Sequence, residues 1–287
     1  MLEQLRRDLL GAQSPNRATF FSDTPLMRFW DRCRLRGTPL LTITSDVGEG
    51  PVVVLVHGIA SSSATFSELV PLLTAHHRCI SIDLLGFGQS PSPERATYTI
   101  EEHVNALAVT IESLKLRAPF ELVGHSMGGL ISARYAAMWH SAISKLVLVS
   151  PPIYVQPGAI GDPMQRAAMG AYLAIYEYLR LNKSFTTASA AFLSRMSPIR
   201  NILEVSERNW DAFVLSLQNS IESQTAVSDI ANVKVPVEIV YGALDPFVFI
   251  GGITIIGRMR HVTIHRVDAN DHLIRKRLAK VVAQVIG

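Results

Sequence analysis

Five short, near-continuous apolar runs recur along the chain: "VVVLVHG" from Val52, "CISIDLLG" from Cys79, "FELVGHS" from Phe120, "KLVLVSPP" from Lys145 and "VPVEIVYGALD" from Val235. A strand covered on both faces has no solvent side to alternate toward, so unbroken runs of this length predict a parallel sheet buried between layers. A sixth run, "HVTIHRV" from His261, alternates and fits a position toward an edge. "TIEEHVNALAVTIESLKL", Thr99 to Leu116, has helical apolar spacing, and Thr99 followed by Glu102 reads as a capping box. Strand alternating with helix argues for an α/β sheet with right-handed crossovers. Upstream, "RLRGTPLLTITSD" (Arg34 to Asp46) offers one or two antiparallel edge strands, with "VGEGP" as the turn into the first parallel strand.

The rhythm breaks after "SPPIYV". Residues 153–228 read as helical, with Asp162-Pro163 opening "MQRAAMGAYLAIYEYLRLN". "LEVSERNWDAFVLSLQ" reads as a further helix. The sheet resumes afterwards, so this block is an insertion. The expected organisation is an extension of unassigned role at 1–30, a core at 31–152 and 229–287, and the insertion at 153–228. Past "DPFV", the crossover "FIGGITIIGRMR" is β-branched and glycine-rich, and reads as a poor helix.

With 287 residues, 48% of them hydrophobic, the chain has ample material for one large core. A net charge of +3 with no Lys/Arg block argues against nucleic-acid binding. Cys33 and Cys79 form neither a metal-ligand spacing nor a disulfide framework, which fits a reducing cytoplasm. No run reaches the ~18 apolar residues of a membrane span, and the first residues lack a signal-peptide core, so a soluble protein is expected.

The chemistry gathers at strand ends. At the carboxyl edge of such a sheet lie His57-Gly58, Asp83, Ser126 and Asp245, and His272 follows the sixth run. "GHSMGG" fits Gly-x-Ser-x-Gly, in which a strand turns at once into a helix. Small neighbours at Gly124 and Gly128 let strand and helix approach while the Ser126 hydroxyl is pushed clear. The next N–H, that of Met127, then points from a helix N-terminus at any negative charge forming beside the serine.

With "VVVLVHGIASSSATF", "IDLLGFGQS", "YGALDPFV" and "ANDHL", the chain resembles the α/β-hydrolase superfamily over about residues 31–287. The resemblance implies the α/β-hydrolase fold: a mostly parallel central sheet, helices on both faces, and the insertion as a helical cap. It implies a catalytic triad of nucleophile Ser126, acid Asp245 and base His272, with backbone N–H groups of Ile59 and Met127 as oxyanion hole. Asp268 and Asp271 are rival acids, while His57, His125 and Asp83 shape loops. The "ANDHL" loop departs from the pattern, with Asn270-Asp271 where glycine is frequent. Serine at the elbow rules out the aspartate-ester mechanism of epoxide hydrolases and haloalkane dehalogenases. What remains is acyl transfer by a serine esterase or lipase-like enzyme, with neither metal nor other cofactor. C–C bond hydrolases of ring-cleavage products and perhydrolases share the same residues, and a ligand-binding protein without turnover is the non-enzymatic alternative. Met164, Met169, Tyr172, Ile175, Tyr176, Trp210, Phe213 and Leu217 would give the cap an apolar lining suited to a small acyl or aromatic substrate.

Overall fold

The computed structural model describes residues 37–154, 163–196 and 204–287. Its strands are β1 (Ile43–Val47), β2 (Val52–Val56), β3 (Arg78–Ile82), β4 (Phe120–His125), β5 (Ile143–Val149), β6 (Val237–Gly242) and β7 (Val262–Val267). They form one sheet in the order β1-β3-β2-β4-β5-β6-β7, parallel throughout except where β1 meets β3. The antiparallel strand expected upstream and the alternating sixth run thus occupy the two edges. The helices are α1 (Val70–Leu73), α2 (Ile100–Ser113), α3 (Met127–Met138), α4 (Pro163–Leu181), α5 (Lys183–Met196), α6 (Trp210–Ser216), α7 (Ala226–Asn232), α8 (Ile250–Ile256) and α9 (Lys276–Ile286).

Neighbouring residues of one strand serve opposite cores. Val54 and Val56 pack with Val104, Leu107 and Ile111 of α2 and with Leu130 and Ile131 of α3. Val53 and Leu55 pack instead with Leu278, Val282 and Ile286 of α9. Each fully buried aliphatic side chain contributes about 1.5–3 kcal/mol relative to exposure, so both layers hold the sheet. This two-sided cover is why the strand runs lack polar alternation.

Several local features differ from the sequence reading. Thr99 Oγ1 accepts the Glu102 N–H at 3.2 Å, but the Glu102 carboxylate accepts from Thr97 N (2.8 Å) and Tyr98 N (2.6 Å), earlier in the chain than the Thr99 N–H a capping box uses. The segment expected to be a poor helix forms α8, because Ile253 and Ile256 bury against the core. Tertiary burial there outweighs propensity. "LEVSERNWDAFVLSLQ" is not one helix either. A 3₁₀ turn (Glu207–Asn209) leads into α6, and a π-helical turn (Leu217–Glu222) follows. The wider turn leaves the Ile221 carbonyl to accept from the Tyr154 hydroxyl (2.5 Å) and Gln224 Nε2 (3.1 Å).

The inserted helices are tied to the core by polar contacts. Ser220 Oγ donates to Tyr98 O (2.9 Å), Asn219 Nδ2 to Thr97 O (2.7 Å) and Glu204 N to Ala60 O (2.7 Å). Within the insertion, Arg180 pairs with both carboxylate oxygens of Glu222 at 3.0 and 3.1 Å. Cys79 is buried and free. Cys33, Asp162 and the extension expected at 1–30 lie outside the described residues. Among the described residues, no helix is long and apolar enough to cross a membrane.

Candidate active site

The last residue of β4, His125, pairs with Val149 of β5, so the next residue, Ser126, stands at the carboxyl edge. Ser126 holds φ 53° and ψ −125°, a conformation L side chains rarely adopt, and caps α3 directly. Its N–H is held by Val149 O at 2.9 Å, and its carbonyl accepts the Gly129 N–H at 2.8 Å. The close approach explains the glycines: a Cβ at Gly128 would sit 2.2 Å from His57 O, and one at Gly124 would sit 2.4 Å from Gly128 O. The Met127 N–H opens α3, where no intrahelical acceptor exists.

The loop after β2 comes against the same point, since a Cβ added to Gly58 would meet Ser126 Cβ at 2.7 Å. His57 fastens that loop. Its Nδ1–H donates to Gly58 O at 2.7 Å and its Nε2 accepts the Leu84 N–H at 2.9 Å. Burial keeps His57 below the ordinary imidazole range, although Asp83 at 3.6 Å pulls the other way. Asp83 itself ties loops together, accepting from Ser63 N (2.8 Å), Ser63 Oγ (2.6 Å) and Gln89 N (2.8 Å).

From the far strands come Asp245 and His272. His272 Nδ1 lies 3.0 and 2.9 Å from the two Asp245 carboxylate oxygens. The Asp245 side chain is fully buried. Burial alone would raise its carboxyl, but the bond to His272, that imidazole's charge, the Ser150 hydroxyl and, less, the Phe247 N–H at 2.9 Å outweigh it and hold the group low. The rival acids are not bonded to His272, although Asp271 lines the same cavity. Asp268 is 85% exposed, 3.8 Å from Arg266, while Asp271 pairs with Arg275 and caps the Leu273 N–H. His125 donates from Nε2 to His272 O at 2.9 Å, which fixes its tautomer. Burial first, then the adjacent His272, pushes His125 down to about 3, so it stays neutral.

Ser126 and His272 line one cavity of about 540 Å³, although no hydrogen bond joins the two side chains among the described residues. On the core side Ile59 and His125 join polar Ser61, Thr65, Asp271 and Arg275, and the insertion contributes mainly apolar residues, Tyr176, Leu179, Phe213, Leu217 and Ile221 among them, with Thr186 and Ser189. Of the expected lining, Tyr176, Phe213 and Leu217 stand on this cavity. The others do not. Met164 is 78% exposed and Ile175 56% exposed on the outer side of α4, while Met169 is buried in the core. Trp210 stacks on Phe213 at 5.8 Å under the Lys183 ammonium. Tyr172 sits beside Tyr176 and bonds the Phe247 carbonyl. Phe247, whose ring lies 4.8 Å from His272, went unnoticed in the sequence, as did Leu179. Leu179 continues the Tyr172–Tyr176 stripe by a further helical step, and that spacing was the available signal. Among the described residues no cluster of His, Cys, Asp and Glu could hold a metal ion.

A family model described as alpha/beta hydrolase fold matches residues 51–255. "Probable lysophospholipase BODYGUARD 3" of Arabidopsis thaliana is 38% identical over 117 residues, covering 39% of this chain and 24% of that protein. "Probable lysophospholipase BODYGUARD 2" from the same plant is 35% identical over 113 residues, covering 38% and 24%. The match thus spans about a quarter of these relatives' length. Similar solved structures include a thermophilic esterase from Thermogutta terrifontis (TM-score 0.66, 20% identity, 86% of this chain and 91% of that one). Another is E-2-(acetamidomethylene)succinate hydrolase (TM-score 0.65, 22% identity, 84% and 91%). At these identities the structural likeness speaks for the fold. By a sheet that brings strand ends together at a serine elbow, and by a family match over more than half its length, the chain belongs to the alpha/beta hydrolase fold family.

Proposed function

We propose that the chain is a serine hydrolase that cleaves carboxylic esters carrying an apolar acyl group. The observation that carries this reading is the shared cavity on which Ser126 and the Asp245-bound His272 both stand, covered mainly by apolar side chains of the insertion. The insertion then acts as a cap.

A serine hydroxyl is too weakly acidic to attack unaided at neutral pH, so His272 takes its proton as Oγ adds to the ester carbonyl. Asp245 receives the Nδ1–H, holds the tautomer that leaves Nε2 free as base, and stabilises the imidazolium. Catalytic hydrogen bonds are often loose without substrate, which accommodates the open Ser126–His272 contact. The Met127 and Ile59 N–H groups face the oxyanion, and one such donor is worth roughly 10²–10³ in rate. His272 returns its proton to the departing alcohol. Water, activated by the same imidazole, releases the acid and restores Ser126. The plant relatives' names, probable lysophospholipases, support an ester rather than another acyl substrate.

A fluorophosphonate probe is expected to label the wild-type chain, and Ser126→Ala to abolish both labelling and hydrolysis of p-nitrophenyl esters. Labelling that persists in the variant would refute the assignment of the nucleophile. A wild type that never labels would favour a binding protein. A panel of acyl esters beside a ring-cleavage dienoate separates esterase from C–C hydrolase.

A further inference from the structure

We propose that Tyr172, on the cap helix α4, is a positioning residue for the acid–base pair, acting through the backbone of Phe247. The inference rests on the ester-hydrolase reading and goes beyond it, because Tyr172 does not line the cavity.

Phe247 stands in the turn after β6 and touches both members of the pair. Its N–H donates to Asp245 Oδ1 at 2.9 Å, and its ring meets His272 edge-on at 4.8 Å. Its segment is only partly anchored, with Val248 packed in the core. Nearby Leu244 and Ile250 are exposed, and among the described residues the loop's backbone supplies no hydrogen-bond partner to the Phe247 carbonyl. That carbonyl instead accepts the Tyr172 hydroxyl at 3.1 Å.

The direction of the chain of bonds follows from proton counting. A phenol carries one O–H, and a carbonyl can only accept. Tyr172 therefore spends its proton on Phe247 O, so the bond between the two phenols has Tyr176 as donor and Tyr172 as acceptor. The Tyr154 ring, 6.1 Å away and near perpendicular, braces Tyr172 from the core side. Tyr172 thus ties the cap to a residue that contacts both Asp245 and His272. When the cap seats on the core, the pair is set in its working geometry; when the bond is lost, Phe247 is free to drift and the carboxylate loses a fixed N–H donor.

The two phenols allow a controlled test. Tyr172→Phe removes the bond to Phe247 and keeps the ring. Tyr176→Phe removes a hydroxyl from the cavity wall and leaves the Tyr172–Phe247 bond intact. Turnover of a p-nitrophenyl ester is measured on the full chain and divided by active sites counted with a fluorophosphonate, so that unfolded molecules do not enter the rate. Tyr172→Phe is expected to lower kcat per titrated site on the order of tenfold, the reach of one hydrogen bond, with KM within about twofold. Tyr176→Phe is expected to act mainly on KM. A Tyr172→Phe kcat per site within about twofold of wild type, a loss confined to KM, or equal kcat losses in both variants would each overturn the inference. These outcomes leave the hydrolase reading standing. A wild type that neither takes the probe nor turns over the ester removes both.

Discussion

His103 offers a test of how firmly the inserted helices are packed onto the core. It lies in α2, fully buried, with Nε2 3.1 Å from the Ser216 hydroxyl of α6 and Nδ1 without a hydrogen-bond partner among the described residues. Burial first, and then the charge of nearby His57, pushes its pKa down to about 3. In the unfolded chain the same imidazole titrates near ~6.5. Below that pH the unfolded state gains a proton that the folded state refuses, so stability falls as pH drops from ~6.5 and the loss saturates only near the folded value. Between pH 7 and pH 5 the linkage amounts to about 2 kcal/mol for this one group. Replacing it with glutamine keeps a hydrogen-bonding group near the Nε2 position and removes the titration. Urea unfolding at both pH values should show His103→Gln gaining about 2 kcal/mol on the wild type in moving to pH 5, whatever the offset at pH 7. Titrations common to both proteins, His125 included, cancel. Parallel losses in the two proteins would refute the reasoning, because they would mean that the imidazole takes its proton while folded.

Two further outcomes bear on the site. Asp245→Asn should lower kcat by on the order of 10⁴ while Asp268→Asn, at an exposed position, leaves it near wild type; the reverse order in steady-state ester assays would show the acid misplaced. Gly128→Ala drives a Cβ to 2.2 Å from His57 O and 2.4 Å from Val56 O, both backbone atoms that cannot turn aside. Overpacking of about 3 kcal/mol or more is expected, read as a drop of several degrees in Tm, and an unchanged melt would contradict the packing described for the elbow.

The strands were legible because a doubly covered sheet excludes polar residues from whole runs, a constraint written into neighbouring positions. The elbow was legible for a similar local reason: Gly124, Ser126 and Gly128 meet one steric demand within a few residues. The lining of the cavity was not. Helix α4 carries apolar residues on both sides, with Met164 and Ile175 outward and Tyr176 toward the cavity, so its periodicity does not say which stripe faces the site. The α8 segment misled for the opposite reason, since weak helix propensity per residue is easily outweighed by burying Ile253 and Ile256.

Read alone, the amino-acid order determined the layered α/β architecture, the edge strands, the serine elbow and the candidates for acid and base. Each of these is recorded in short-range pattern or in the succession of elements. Only the folded chain decided that Asp245, rather than Asp268 or Asp271, meets His272, that Phe247 touches both, and that Tyr172 reaches Phe247 instead of the cavity. Those contacts join residues tens of positions apart. Their geometry depends on how the inserted helices seat over the sheet edge, a balance of packing and hydrogen bonds summed over the whole molecule.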